Sequence, residues 1–131
     1  MNIPNLLRTR NYLASHPDDY FQAEWTHGCG TPACVAGYAV VACGGRLVPN
    51  SHMCVTAFGV YKELSSHATK LLGLTVRQKV AMFMATPYGT SRNPLKPVRP
   101  VSVWEALRML DYAIEHGVVR WPPRGTEDPR P

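Results

Sequence analysis

The sequence predicts a mainly α protein, a compact single-domain bundle of about five helices around a buried central helix. Three observations lead to this fold class. Two capping boxes mark helix starts, an uncharged segment of small residues can form a buried helix, and apolar residues recur at helical spacing near both ends of the chain. A length of 131 residues suits one domain. We assign residues 1–121 to the helical domain and residues 122–131 to a polar C-terminal tail.

The first helix is predicted from Pro4 to Ser15. Proline is tolerated in the first turn because its missing N–H would have no helical partner there. Leu6, Leu7 and Leu13 recur at helical spacing and form its apolar stripe. The His-Pro pair that follows ends the helix, because a residue before proline is disfavoured in the α conformation.

The central helix is predicted over residues 32–43. Thr31 is a suitable N-cap, Pro32 fits the first helical position, and Gly44 with Gly45 provides a left-handed end. Because the segment carries no charge, every side of the helix is expected to be buried. Its small residues would let neighbouring helices approach closely.

The middle of the chain is predicted to form a short strand and then two helices. The strand is placed at residues 54–58. Ser65 or Ser66 is expected to cap the first helix, and Thr75 with Gln78 forms a capping box for the second. This pair of helices is either a plain helical hairpin or a DNA-reading helix-turn-helix. The apolar residues of the second helix fall on one face: Val76, Val80, Phe83 and Met84.

The last helix is predicted from Val103 to His116. Ser102 and Glu105 form its capping box, and Gly117 ends it. Trp121 is expected to fold back on the core. The stripe expected to be buried consists of Trp104, Leu107, Leu110 and Ile114.

Positive charge is concentrated in residues 66–101, which include a proline-rich loop at 86–101. The net charge is +5, and no acidic residue lies between Glu63 and Glu105. Such a stretch favours an anionic partner, which could be nucleic acid, a nucleotide or an acidic protein surface. Tyr88 could stack on a base. The predicted ligand-binding residues are Arg77, Lys79, Tyr88, Arg92, Lys96 and Arg99.

Four separated features give the chain a family resemblance. They are Trp25, C-G-T-P-A-C-V-A-G-Y-A at 29–39, L-G-L at 72–74 and G-V-V-R-W at 117–121. In this combination the chain resembles a group of small bacterial and phage-type proteins. The resemblance implies a compact, mostly helical fold and carries no activity with it. Together with the basic region, it favours a small accessory binding protein, of a kind that phages encode, acting on an anionic partner or a host protein.

A cysteine-dependent hydrolase or acyl-transfer enzyme is the first alternative. Cys29 precedes the predicted N-terminus of the central helix, where the helix dipole stabilises a thiolate. A histidine would have to act as base, and His27 and His116 are the candidates. His116 has a second explanation, because an imidazolium is stabilised in the last turn of a helix. We therefore favour a binding protein over an enzyme.

A zinc-binding module is the second alternative. His27, Cys29 and Cys54 could supply nitrogen and sulfur ligands, but the chain has no C-x-x-C pair, the strongest sequence signal for structural zinc. Cys34 and Cys43 would point in opposite directions from one helix, so we interpret them as core residues. No cofactor is predicted.

A cytoplasmic location, in a bacterial or phage-infected cell, is expected from two absences. No run of 18 apolar residues is present, and the N-terminus lacks the apolar stretch of a signal peptide. We expect no membrane partner. Formation of a homo-oligomer is left open.

Overall fold

The computed structural model describes residues 1–22, 24, 26, 30–84, 87, 88 and 101–123. Five α-helices and a small antiparallel sheet form this part of the chain, so the prediction of a mainly α protein is confirmed, with a sheet in addition. The helices are α1 (Ile3–Ser15), α2 (Val35–Ala42), α3 (Leu64–Leu72), α4 (Val76–Phe83) and α5 (Val103–His116). The strands are β1 (Arg46–Leu47), β2 (Met53–Val55) and β3 (Tyr61–Glu63).

Local sequence signals set the ends of α1 and α5. Asn2 caps α1, its side-chain oxygen accepting from the Asn5 amide at 3.0 Å, so the helix begins one residue before the predicted Pro4. α5 has the predicted bounds. Its capping box is complete: Ser102 Oγ accepts from the Glu105 amide at 3.1 Å, and the Glu105 carboxylate accepts from the Ser102 amide at 2.8 Å.

The central helix α2 begins later than predicted. Cys34, not Thr31, is its N-cap. The preceding residues are extended because they form backbone pairs: Pro32 forms a β-bridge with Thr26, and the Phe21 amide donates to the Ala33 carbonyl at 2.8 Å. Thr31 as an N-cap is therefore wrong.

Helix α2 lies at the centre of the core, as predicted. It packs between α1 and α3, and α1 packs in turn against α5. Every residue from 35 to 40 is buried. Tyr38 is the largest side chain without exposed surface, and its hydroxyl donates to the His16 carbonyl at 2.5 Å.

The small sheet has the strand order β1-β2-β3, with Leu47 opposite Cys54 and Cys54 opposite Lys62. Only the first part of the predicted strand 54–58 is a strand. It stops at Val55 because Thr56 closes a turn, with its Oγ1 accepting from the Val60 amide at 3.2 Å. Cys54, on the middle strand of the sheet, is fully buried.

Helix α3 is capped differently from the prediction. Its N-cap is Glu63, so the expected cap at Ser65 or Ser66 is wrong. Both hydroxyls instead donate to the Glu63 carboxylate, at 2.5 and 2.7 Å. These hydrogen bonds lower the pKa of Glu63, with a smaller contribution from nearby Lys79.

Helix α4 has the predicted capping box at Thr75 and Gln78 but turns much of its apolar face outward. Val76 is 78% exposed and Val80 is 62% exposed. The opposite end of the helix is held by distant side chains. Gln22 Nε2 donates to the carbonyls of Met82 and Met84, at 3.1 and 2.9 Å.

Trp121 folds back on the core, as predicted. Its indole N–H donates to the Ala81 carbonyl at 2.8 Å. The last carbonyls of a helix have no intrahelical partner, so this bond and those from Gln22 satisfy the C-terminal end of α4. No helix within the described residues is both long enough and apolar enough to cross a lipid bilayer.

Candidate functional site

An open cleft lies between α1, α5 and the segment that follows α5. Its cavity volume is about 1040 Å³. Residues 87 and 88 close one side of the cleft, and residues 120–123 form the adjoining wall. A concave site of this size is where a small protein most often binds a ligand.

Two helical stripes form the long sides of the cleft. On α1 the core-facing residues are Leu6, Thr9 and Leu13, and the neighbouring stripe turns to the cleft. On α5, the stripe opposite the buried residues also lines the cleft. Residues three and four positions apart share one face of a helix, so each stripe is continuous. The cleft-lining residues of the two helices are Leu7, Arg10, Asn11, Arg108, Asp111, Tyr112, Ile114 and Glu115.

An ion pair joins the two helices within the cleft. Arg10 Nε donates to the Asp111 carboxylate at 2.9 Å. Both side chains are partly exposed, so the ion pair stabilises the fold by little, about 1 kcal/mol at most. Its consequence for the site is that the charges of Arg10 and Asp111 largely cancel.

The wall after α5 is built from aromatic side chains. Gly117 ends α5 in the left-handed conformation, with φ of 68°, and redirects the chain. The Tyr88 hydroxyl donates to the Pro122 carbonyl at 2.9 Å, and its ring meets the Trp121 ring edge to face at 6.4 Å. Because Trp121 is also bonded to Ala81, this wall is anchored to the core.

A third aromatic ring and two arginines complete the site. Tyr112 projects from α5, with the Arg120 guanidinium carbon 5.9 Å from its ring centre. Arg108 and Arg120 are exposed, and within the described residues neither forms an ion pair. Glu115 is the acidic lining residue outside the Arg10–Asp111 pair. The lining therefore has an excess of positive charge beside aromatic surface.

The structure brings one of the predicted ligand-binding residues into this cleft. Tyr88 lines it, whereas Arg77 and Lys79 lie on α4, outside the described lining. The other three predicted ligand-binding residues lie outside the described residues: Arg92, Lys96 and Arg99.

Sequence reasoning missed most of the cleft, including Arg10, Arg108 and Arg120. A signal for part of it was present, because Arg108, Tyr112 and Glu115 recur at helical spacing opposite the apolar stripe of α5. That pattern is typical of any solvated helix face. This face of α5 becomes one side of a cleft only because α1 packs beside it and the segment that contains Trp121 folds back on the core.

None of the residues proposed for catalysis or metal binding is among the described residues that line the cleft. Cys29 and His27 lie outside the described residues. His116 is exposed, its Nε2 lies 3.6 Å from the Glu115 carboxylate, and its ring is tilted by 42° against that of Tyr112, with the ring centres 4.3 Å apart. Cys54 is fully buried, and the described residues contain no cluster of three metal-ligating side chains.

Cys34 is expected to resist alkylation at neutral pH. Burial raises the pKa of its thiol from an ordinary 9.0 to about 11, although the amides of Gly37 and Ala36 act in the opposite direction. The thiolate fraction is then about 100-fold lower than that of an ordinary cysteine, and the thiolate is the species that reacts. Treating the native protein with iodoacetamide and mapping the label by mass spectrometry measures this.

Fast labelling of Cys34 would contradict its burial, whereas fast labelling of Cys29 alone would support the hydrolase alternative. Burial also raises the pKa of Cys43 and Cys54. The raised pKa of Cys34 also makes the stability of the folded protein depend on pH. The unfolded thiol ionises first, so stability is retained below pH 9 and falls as the pH rises towards 11.

No protein-family model, no curated protein and no solved structure matches the chain. Any functional conclusion therefore depends on the chemistry of the cleft and of the remaining surface.

Proposed function

We propose that the protein is a small accessory binding protein whose cleft holds an anionic ligand with a planar ring. Such a ligand is a nucleotide, or one nucleotide unit of a nucleic acid. The observation that carries the proposal is the presence of Arg108 and Arg120 in one cavity with three aromatic side chains. Small-molecule sites usually have volumes of roughly 300–1,000 Å³, and this open cavity, at about 1040 Å³, is slightly larger.

The two arginines supply the recognition of phosphate. A guanidinium group offers several donors in a plane and can hold a phosphate through two parallel hydrogen bonds. Arg108 comes from α5 and Arg120 from the segment after it, so they approach the cleft from different elements. The Arg10–Asp111 pair is internally neutralised, so these two side chains are the cations available to a ligand among the described lining residues.

The aromatic wall supplies the recognition of a ring. A base can stack on an aromatic side chain, and such stacking contributes about 1–3 kcal/mol per base. Tyr88 and Trp121 contact each other and are each fixed by a hydrogen bond, so little ordering is needed on binding. Tyr112 supplies a third ring, 5.9 Å from the Arg120 guanidinium carbon.

The basic region 66–101 would extend the same preference for anions over a wider surface. Tyr88 belongs to this region and to the cleft. Arg77 and Lys79 lie on α4 and would contact a longer anion such as a single-stranded nucleic acid beyond the cleft. Lys96 and the two loop arginines are predicted to do the same.

Removing the two cleft arginines should abolish most nucleotide binding. At low salt we expect calorimetric titration with AMP, ATP and a single-stranded oligonucleotide to show binding to the native protein. The variant Arg108→Ala/Arg120→Ala should bind AMP at least about 10-fold more weakly, because a hydrogen bond to a charged group contributes about 1.5–3 kcal/mol. Affinity should also fall as salt is added.

The control is Arg77→Ala/Lys79→Ala, which removes the same charge from α4. AMP binding should stay within about twofold of the native value, since most surface substitutions have only local effects. Equal losses in both variants would show a general effect of net charge and contradict the cleft. Absence of binding by all three ligands at low salt would overturn the proposed function.

The hydrolase alternative depends on Cys29 with His27 or His116, and the zinc alternative on His27, Cys29 and Cys54. The described cysteines give them no support, because burial raises the pKa of Cys34, Cys43 and Cys54 and a reactive thiol requires the opposite. The binding function is therefore the one that the described geometry favours.

A further inference from the structure

A stripe of exposed apolar side chains runs along α4. Val76 is 78% exposed, Val80 is 62% exposed and Met84, just beyond the helix, is 38% exposed. These residues are about one turn apart, so they form one continuous line on the surface. A helix at a protein surface normally places polar residues on its solvent side. Contiguous apolar surface rimmed by polar residues is typical of an interaction site.

Cationic side chains flank the stripe. Arg77 and Lys79 belong to α4 itself, and no acidic residue lies between Glu63 and Glu105. Glu63, which caps α3, accepts hydrogen bonds from two serine hydroxyls and interacts electrostatically with Lys79.

The hairpin between β2 and β3 adds further exposed apolar surface. Phe58 is 95% exposed and Tyr61 is 59% exposed. Glu63 at the end of β3 interacts electrostatically with Lys79 of α4. Exposed apolar side chains are therefore present both on α4 and on this hairpin.

We propose that the exposed face of α4 docks an acidic amphipathic helix of a partner protein. The apolar side of that helix would cover Val76, Val80 and Met84, and its carboxylates would pair with Arg77 and Lys79. Charge complementarity selects this occupant. A second copy of the chain, related by a twofold axis, would bring the same cations together. This surface lies outside the cleft lining and does not depend on nucleotide binding there, but a longer nucleic acid that reached Arg77 and Lys79 would compete with the helix for it.

A synthetic peptide can test the docking surface. The probe is a fluorescein-labelled helix of about 18 residues, with leucines at helical spacing on one side and glutamates on the other. We expect anisotropy to show binding that weakens with salt. Val76→Glu/Val80→Glu should reduce affinity at least about 10-fold, because it places like charges and polar groups against the peptide. Arg77→Ala/Lys79→Ala should weaken binding and reduce its salt dependence.

The control substitution is Val118→Glu, at an apolar position that is 52% exposed and lies outside α4. It should leave peptide affinity unchanged. The substituted positions are exposed except Lys79, which is partly buried, and unchanged circular dichroism would verify folding. Equal binding of a peptide with lysines in place of glutamates, or absence of binding by the glutamate peptide, would overturn the proposal. So would self-association or attachment to phosphatidylserine vesicles that the α4 substitutions abolish, since either would assign this face to another occupant.

Discussion

Replacing Tyr38 with alanine should lower the free energy of unfolding by about 3–5 kcal/mol, the cost of truncating a buried aromatic side chain. Tyr38 has no exposed surface and lies on α2, which packs between α1 and α3. Its ring also meets the Tyr12 ring edge to face at 5.7 Å. The truncation therefore leaves a cavity where several elements meet. Urea denaturation followed by circular dichroism measures the effect.

Tyr38→Phe separates packing from the hydrogen bond. It keeps the ring but removes the hydroxyl that donates to the His16 carbonyl, so it should cost about 1 kcal/mol. If Tyr38→Ala cost no more than Tyr38→Phe, the ring would not be a core element and the position of α2 at the centre of the fold would be wrong.

Replacing Gly45 with alanine should destabilise the protein by about 1–3 kcal/mol through overpacking. A Cβ atom at this position would lie 2.7 Å from Val40 Cγ1 and 2.8 Å from the Val55 carbonyl oxygen. The second of these is backbone, so the clash cannot be relieved by rotating a side chain. Gly45 connects α2 to β1, and any adjustment would move the sheet relative to the central helix.

Gly59→Ala is the matched control for Gly45→Ala. Gly59 has φ of +81°, but a Cβ there would meet nothing within 4 Å. Its substitution tests backbone strain alone, at about 1–2 kcal/mol. A double-mutant cycle with Val40→Ala tests the contact with Val40: the pair with Gly45→Ala should cost less than the sum of the single substitutions, whereas the pair with Gly59→Ala should be additive. Additivity in both cycles would contradict the close approach of Gly45 to Val40.

Local signals made much of the helical structure predictable. A capping box depends on two residues three positions apart, and both predicted boxes, at Thr75 and Ser102, are present. A glycine can end a helix because it adopts the left-handed conformation without help from distant residues, as Gly73 and Gly117 do. Such signals are complete within one turn, so they can be interpreted without knowledge of the fold.

Features that depend on distant residues were not predictable in this way. The late start of α2 follows from backbone pairing of residues 26 and 32. The outward apolar face of α4 follows from bonds to Gln22 and Trp121, 60 and 40 positions from their acceptors. The cleft depends on α1 and α5, whose ion pair joins residues 101 positions apart. The residue pattern of a single helix does not indicate which distant residues will contact it.

The central claim, that the cleft is the ligand site, is tested most directly by mapping AMP-induced shifts of backbone amides in a two-dimensional ¹H–¹⁵N spectrum. We predict that the largest shifts occur in α5 from Arg108 to Glu115 and around Trp121, and that α3 and the start of α4 do not change. Shifts confined to α4, or no shifts at low salt, would contradict the claim.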